Sequence, residues 1–133
     1  MSFTASTLGK EPRFQIVGEA LDGHQAVQKA QELKPDLVVL DIGLPKLNGI
    51  EAARRIRSVS PDSKILFLTA NDDSEIAREA LDTGARGYVV KRDAAKELLA
   101  AVRAVLLGRR YISKQLADAL IPIIPQSGGE PSE

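Results

Sequence analysis

The fold of this 133-residue chain is decided by the stretch Leu37-Val38-Val39-Leu40-Asp41-Ile42-Gly43-Leu44-Pro45-Lys46-Leu47-Asn48-Gly49. Four consecutive apolar residues lead directly to the carboxylate of Asp41. An aliphatic run of this length is typical of a strand that is buried on both faces, as in a parallel sheet. Pro45 and Gly49 disfavour a helix after it, so we expect a loop there. Since ligands gather at the carboxyl ends of parallel strands, Asp41 is predicted to face a loop-lined crevice.

Strand patterns and helix patterns alternate along the rest of the chain. Strands are predicted over residues 14–18, 37–41, 64–69 and 87–91, and helices over 24–33, 49–59, 74–83, 93–107 and 111–120. This alternation indicates βαβ units, hence an α/β, doubly wound, mostly parallel sheet with flanking helices. We expect Ser74 to cap the third of these helices and Gly84 to end it.

Composition excludes several classes of protein. The chain has 18 basic and 18 acidic residues, whereas a non-specific nucleic-acid binder needs a basic surplus. It has no cysteine and one histidine, His24, so thiolate metal sites, disulfides and polyhistidine sites are excluded. No run approaches the roughly 20 apolar residues of a membrane helix, and no secretory signal opens the chain. We therefore expect a cytoplasmic protein without a membrane partner.

Three predicted strands end in polar residues of different chemistry, namely Asp41, Thr69 and Lys91. In a parallel sheet these ends lie at one edge. A carboxylate can attack a phosphoryl group, a hydroxyl can hydrogen-bond its oxygens, and an ammonium can pair with its charge. One polar residue at a strand end is usually only a strand end, but three of them together predict a phospho-aspartate site.

These motifs resemble the receiver domain of two-component response regulators, the CheY-like, flavodoxin-like family. The resemblance covers roughly residues 14–120, and the subgroup that it resembles most is the NarL/FixJ type. It rests on Val38-Val39-Leu40-Asp41-Ile42-Gly43-Leu44-Pro45, Phe67-Leu68-Thr69-Ala70 and Gly84-Ala85-Arg86-Gly87-Tyr88-Val89-Val90-Lys91.

The resemblance implies a role for each matching residue. It makes Asp41 the phospho-acceptor, Lys91 its phosphate-pairing cation, and Thr69 and Tyr88 the switch pair. Ala70 matches the small residue that keeps the phosphate accessible. The Asp41 carboxylate and the carbonyl of Gly43 would be ligands of Mg²⁺, the expected cofactor. Each has a simpler interpretation, since Tyr88 could be an ordinary strand aromatic and Lys91 a solvated strand end.

The chain departs from the family before Phe14. The family's first strand ends in two acids that hold Mg²⁺, but only 13 residues precede Phe14 here, with one acid, Glu11. We expect residues 1–13 to be a remnant of the first helix or a flexible lead, and Mg²⁺ binding to be weak. Three explanations stay open: a shortened start, a receiver that has lost phosphotransfer, or a gap filled by a second copy or by the N-terminal segment itself.

The expected organisation is a receiver over residues 14–110, a helical connector over 111–120 and a flexible tail over 121–133. The resemblance implies a signalling module that is not an enzyme. Its phosphodonor would be a sensor histidine kinase or a phosphotransfer protein. No DNA-binding segment follows the connector, so we expect output through a downstream protein or a homodimer. The alternative is a phosphorylation-independent interaction module. A DxD phosphatase and a dinucleotide-binding protein are disfavoured, since Asp41-Ile42-Gly43 lacks the second acid and no Gly-rich turn precedes a helix.

Overall fold

The computed structural model describes residues 18–114, 116 and 117. Its core is a sheet of four parallel strands in the order β1-β2-β3-β4. The strands are β1 (Leu37–Leu40), β2 (Lys64–Thr69), β3 (Gly87–Val90) and β4 (Tyr111–Ile112). The helices are α1 (Gly23–Leu33), α2 (Gly49–Val59), α3 (Ser74–Asp82) and α4 (Ala94–Leu106), and a short 3₁₀ turn spans Lys91–Asp93. The predicted strand at 14–18, the lead at 1–13 and the tail at 121–133 lie wholly or almost wholly outside the described residues.

The sheet is covered by helices on both faces, as the doubly wound prediction requires. Alternate residues of β2 point to opposite faces, so Phe67 and Leu68 belong to different halves of the core. One half packs against the buried aliphatic residues of α1, α2 and α3, and the other packs against α4. The fold class predicted from the alternating pattern is confirmed. Within the described residues, no helix is both long enough and apolar enough to cross a bilayer.

The helices α1, α2 and α3 each begin where a short polar side chain caps them. The carboxylate of Asp22 accepts from the Gln25 N–H at 2.9 Å, and the amide oxygen of Asn48 accepts from the Glu51 N–H at 3.0 Å. At α3 the cap is Asp73, whose carboxylate accepts from the N–H groups of Glu75 and Ile76, so the prediction that Ser74 caps this helix is wrong. A carboxylate is also the better cap electrostatically, because it carries a full negative charge at the positive end of the helix dipole.

Two further sequence predictions meet the structure in this region of the chain. Gly84 adopts a φ of 100°, the left-handed conformation expected of the residue that ends α3. The predicted helix from Tyr111 is wrong at its start, because Tyr111 and Ile112 pair with Gly87 and Tyr88 as strand β4. The β-branched and aromatic character of these two residues suits a sheet edge, and helical hydrogen bonding begins only at Ser113.

The loop after β1 is held close to that strand by Gly49, the first residue of α2. Its N–H donates to the carbonyl of Ile42 at 2.9 Å. A Cβ atom at this position would lie 2.2 Å from the backbone oxygen of Asp41. Only a residue without a side chain allows α2 to start this close to the end of β1, so Gly49 sets the position of the Asp41 backbone.

Replacing Gly49 by Ala is therefore expected to lower the free energy of unfolding by about 1–3 kcal/mol, the usual cost of overpacking against atoms that cannot move away. This loss should appear although alanine is intrinsically the better helix former. Urea denaturation measures it. Gly43→Ala is the matched control, since the nearest atom to its Cβ would be Asp41 Oδ1 at 3.7 Å, an ordinary contact. Equal midpoints for the two variants would contradict the close approach at Gly49.

Candidate functional site

The ends of β1, β2 and β3 meet at one edge of the sheet, as predicted. The parallel register places Leu40 beside Phe67 and Thr69 beside Val90. Asp41 follows β1 directly, Thr69 closes β2, and Lys91 follows β3. An open cleft of about 420 Å³ lies at this edge, and it is lined by Asp41, Ile42, Gly43, Thr69, Ala70 and Asn71.

The carboxylate of Asp41 is the centre of this edge. Its Oδ2 accepts from the ammonium of Lys91 at 2.7 Å, and its Oδ1 accepts from the N–H of Gly43 at 2.9 Å. The side chain of Asp41 remains 32% exposed, so it faces the cleft rather than the core. The predicted proximity of Asp41 and Lys91, 50 residues apart in the chain, is confirmed by this contact.

The environment of Asp41 favours its charged form. Partial burial raises the pKa of Asp41, but the Lys91 ammonium, the Gly43 N–H and the Thr69 hydroxyl together outweigh burial, so the pKa lies below its usual value. The carboxylate is therefore ionised at neutral pH and can act as a nucleophile. Since both partners are partly exposed, water screens the ion pair, which contributes about 1 kcal/mol or less to folding.

Tyr88 lies behind the cleft with its ring fully buried against Phe67, the two ring centroids 6.2 Å apart. Its hydroxyl donates to the backbone carbonyl of Asn71 at 2.7 Å. Burial, then the negative charges of Asp72, Asp73 and Asp41, raises the pKa of Tyr88 far above its usual value. The phenol therefore stays protonated and remains a donor to the β2–α3 loop.

An ion pair reinforces the same loop from its exposed side. Arg92, in the turn after β3, donates to Asp72 at 2.8 Å, and each side chain is about half exposed. Arg92 lowers the pKa of Asp72. Asp72 is a loop charge that pairs with Arg92, and Asp73 is the charge that caps α3.

The described part of the chain supplies few ligands for a metal. It contains no group of three or more His, Cys, Asp or Glu side chains placed to hold an ion. His24 is exposed in the first turn of α1. Asp22 is buried but caps α1 and lies 3.7 Å from Lys46, and its hydrogen bond from the Gln25 N–H lowers its pKa. Asp41 and the Gly43 carbonyl are the candidate Mg²⁺ ligands that the family resemblance implies.

Sequence reasoning missed several residues that build this edge. Asn71 lines the cleft and receives the Tyr88 hydroxyl, and its N–H donates to the Thr69 hydroxyl at 3.2 Å. The only sequence signal for it was its place two residues after the end of β2. Arg92 was missed because nothing in the sequence tells which loop carboxylate it faces.

Comparison with known proteins assigns the family. The profile of the response regulator receiver domain matches residues 1–103. The chain belongs to the response regulator receiver domain family. Receiver domains are signalling modules that interact with histidine kinases or other phosphodonors and generally use Mg²⁺ at the phosphorylation site.

The relatives are NarL- and LuxR-type regulators, which confirms the predicted subgroup. The chain is 39% identical over 114 residues to the transcriptional regulatory protein DegU of Brevibacillus brevis, covering 86% of this chain and 48% of DegU. It is 38% identical over 119 residues to the response regulator GacA of Pseudomonas viridiflava, covering 88% of this chain and 56% of GacA. The chain thus spans about half the length of the curated relatives that it matches.

Solved structures agree with this assignment. A LuxR-family two-component response regulator from Aurantimonas sp. superposes with a TM-score of 0.85 at 36% identity, covering 90% of this chain and 85% of that one. The signal receiver domain of the putative response regulator NarL from Mycobacterium tuberculosis gives a TM-score of 0.74 at 30% identity, covering 79% and 85%. The CheY-like fold is therefore shown.

Replacing Lys91 by Met is expected to raise the pKa of Asp41. The variant lacks the ammonium that contributes most to lowering this pKa, while the partial burial that raises it remains. Carbon-13 NMR titration of the carboxyl group measures this change. In the wild type, the charged form of Asp41 stabilises the fold at pH values above ~3.9, the pKa of aspartate in the unfolded chain. This contribution is lost as the pH falls through the pKa of Asp41 in the folded protein. The variant should therefore lose less stability on acidification. Lys96→Met, on the exposed side of α4, is the control, and an Asp41 pKa that stays unchanged in Lys91→Met would refute the pairing.

Replacing Tyr88 by Phe keeps the buried ring and removes the donor to Asn71. The free energy of unfolding should fall by about 1 kcal/mol, the net value of a typical hydrogen bond. Amide exchange at Asn71–Asp73 should become faster, which NMR-detected hydrogen exchange resolves residue by residue. Tyr111→Phe removes a hydroxyl on the other face of the sheet and serves as the control. Unchanged protection of the loop in Tyr88→Phe would show that this hydrogen bond does not hold it.

Proposed function

We propose that this chain is the phospho-accepting receiver of a two-component pathway, with Asp41 as the phospho-acceptor. The observation that carries the proposal is the ionised, partly exposed Asp41 carboxylate, which faces the cleft and pairs with Lys91 at 2.7 Å. A carboxylate oxygen attacks the phosphorus of the donor, the donor's nitrogen or oxygen leaves with its bonding pair, and an acyl phosphate forms. The Lys91 ammonium is placed to pair with the incoming phosphoryl oxygens.

The proposed switch uses Thr69 and Tyr88. Thr69 is 2% exposed, and its hydroxyl interacts with the Asp41 carboxylate and lowers the pKa of that group. A phosphoryl group on Asp41 would offer this hydroxyl a stronger hydrogen-bond acceptor. The Asn71 N–H, which now donates to Thr69, belongs to the loop that Tyr88 holds. A displacement of the Thr69 hydroxyl would therefore reach the loop and α3. Ala70 lines the cleft with a small side chain, which leaves room for the phosphoryl group.

Magnesium fits this site only in part. Asp41 and the Gly43 carbonyl provide two oxygens in the described residues, whereas Mg²⁺ demands near-octahedral oxygen ligation and is usually held by one or two carboxylates with several waters. Both carboxylate oxygens of Asp41 already accept hydrogen bonds, one from the Lys91 ammonium and one from the Gly43 N–H. These donors alone do not make a Mg²⁺ site.

The proposed partners follow from the family and from charge. The phosphodonor is a sensor histidine kinase or a phosphotransfer protein. The chain has equal numbers of acidic and basic residues, so we propose that it acts through a downstream protein or a second copy of itself, without direct DNA binding. The proposed output surface is α3, β3 and α4, which lie next to Thr69 and Tyr88.

A second candidate function is a phosphorylation-independent receiver that serves as an interaction or dimerisation module. The scarcity of acidic ligands around Asp41 in the described residues favours it. Phosphoryl transfer depends on neutralising the charge that develops, and one ammonium does this less completely than an ammonium and a divalent cation together.

Intact-mass analysis after incubation with acetyl phosphate tests the first proposal against the second. We expect a phosphoryl adduct on the wild type and none on Asp41→Asn, which keeps the shape of the side chain and removes the nucleophile. The incubation is run with Mg²⁺ and with a chelator, and we expect only a weak dependence on the ion. No adduct on a protein that circular dichroism shows to be folded would refute phospho-acceptance and leave the interaction module.

A further inference from the structure

Ser113 lies fully buried where the sheet ends, directly after β4. Its N–H donates to the carbonyl of Tyr88 at 2.9 Å. Its hydroxyl accepts from the N–H of Val90, also at 2.9 Å. One residue therefore binds the backbone of β3 at both ends of the segment that carries Tyr88 and leads into Lys91.

The hydroxyl of Ser113 replaces a backbone carbonyl as the acceptor of one hydrogen bond between β3 and the chain after β4. In a regular parallel ladder, the residue that donates to Tyr88 accepts from Val90 through its own carbonyl. The carbonyl of Ser113 is instead used by the N–H groups of Leu116 and Ala117, each at 2.9 Å, where a helical turn begins. Ser and Thr carry a short side-chain oxygen that can replace a backbone acceptor in this way.

The Val90 N–H needs this acceptor. Val90 is 1% exposed, so water cannot take the place of the serine. A buried N–H without a partner costs enough that the strand end would shift or admit water. Val90 is also the last residue of β3, and the next residue is Lys91, whose ammonium reaches Asp41 at 2.7 Å.

We propose that Ser113 is a positioning residue for the phospho-acceptor site: it fixes the end of β3 so that Lys91 is presented to Asp41. The proposal rests on the proposed function, because it concerns the same site. It makes the segment after β4 part of the phosphorylation machinery, although Ser113 does not touch the cleft. The side chain of Lys91 is long and flexible. The position and direction of its Cα–Cβ bond therefore determine how often the ammonium contacts the Asp41 carboxylate.

The first test compares the rate of adduct formation from acetyl phosphate in matched variants. Ser113→Ala removes the acceptor, and Ser113→Cys is a second variant with a weak acceptor of similar size. Ser60→Ala is the control, since Ser60 is 2% exposed and shares a hydrogen bond of 2.7 Å with Ser63 at the opposite edge of the sheet. Both serines lose one buried hydroxyl, so a general loss of stability should affect the two proteins alike.

We expect Ser113→Ala to slow adduct formation about tenfold, less than the ~100-fold that a misplacement of about 1 Å at the reacting centre can cost. Ser113→Cys should fall between it and the wild type, and Ser113→Thr, which restores a hydroxyl, should recover most of the rate. Ser60→Ala should react like the wild type at a temperature where all are folded. Equal rates for Ser113→Ala and Ser60→Ala would overturn the proposal.

A second readout keeps this proposal separate from phosphorylation itself. NMR follows hydrogen exchange of the Val90 amide and the signals of the Lys91 ε-methylene in the unphosphorylated protein. Ser113→Ala should accelerate exchange at Val90 and shift the Lys91 signals toward those of a solvated lysine, while Ser60→Ala should change neither. If the wild type forms no adduct, the proposed function fails, and these signals alone decide. Unchanged Lys91 signals in Ser113→Ala would then refute the positioning role.

Discussion

The parallel register of β1, β2 and β3 is the constraint on which the whole site depends. It brings residues that are 50 positions apart in sequence to a contact of 2.7 Å between Lys91 and Asp41. A slip of one residue in either pairing would turn the side chain at the strand end to the other face of the sheet. The register is fixed by two-sided burial, since Phe67 packs toward α1, α2 and α3 while Leu68 packs toward α4.

The register fixes only where each strand ends, and local contacts fix the chemistry beyond that point. Gly49 allows α2 to press against the backbone of Asp41, and Tyr88 ties the β2–α3 loop to the centre of the sheet. Ser113 closes the ladder beside Val90. Two of these contacts act on residues that line the cleft, Asp41 and Asn71, and the third holds Val90, the residue before Lys91. They leave the Asp41 carboxylate itself partly exposed, which a phospho-acceptor requires.

Sequence patterns predicted the features that depend on burial or on a single residue type. The aliphatic runs predicted the strands, and the polar residue at the end of each run identified Asp41, Thr69 and Lys91 as the candidate site. The patterns failed where two local solutions compete: Asp73 caps α3 in preference to Ser74, and Tyr111 joins the sheet rather than a helix. They also missed Asn71 and Ser113, because a backbone carbonyl or a hydroxyl that completes a distant strand leaves no periodic signal.

Charge balance connects the geometry to the chemistry that remains open at this edge. In the described structure one ammonium faces one carboxylate, so the local pair is close to neutral before any reaction. An acyl phosphate carries a charge of about −1.5 to −2 at neutral pH in place of the −1 of the free carboxylate, and Lys91 alone offsets only part of it. The remainder must be met by backbone N–H groups such as that of Gly43, by the Thr69 hydroxyl or by a bound cation. The more of that charge the hydroxyl and the loop take up, the more strongly phosphorylation would pull on Thr69, and through Asn71 on the loop that Tyr88 holds.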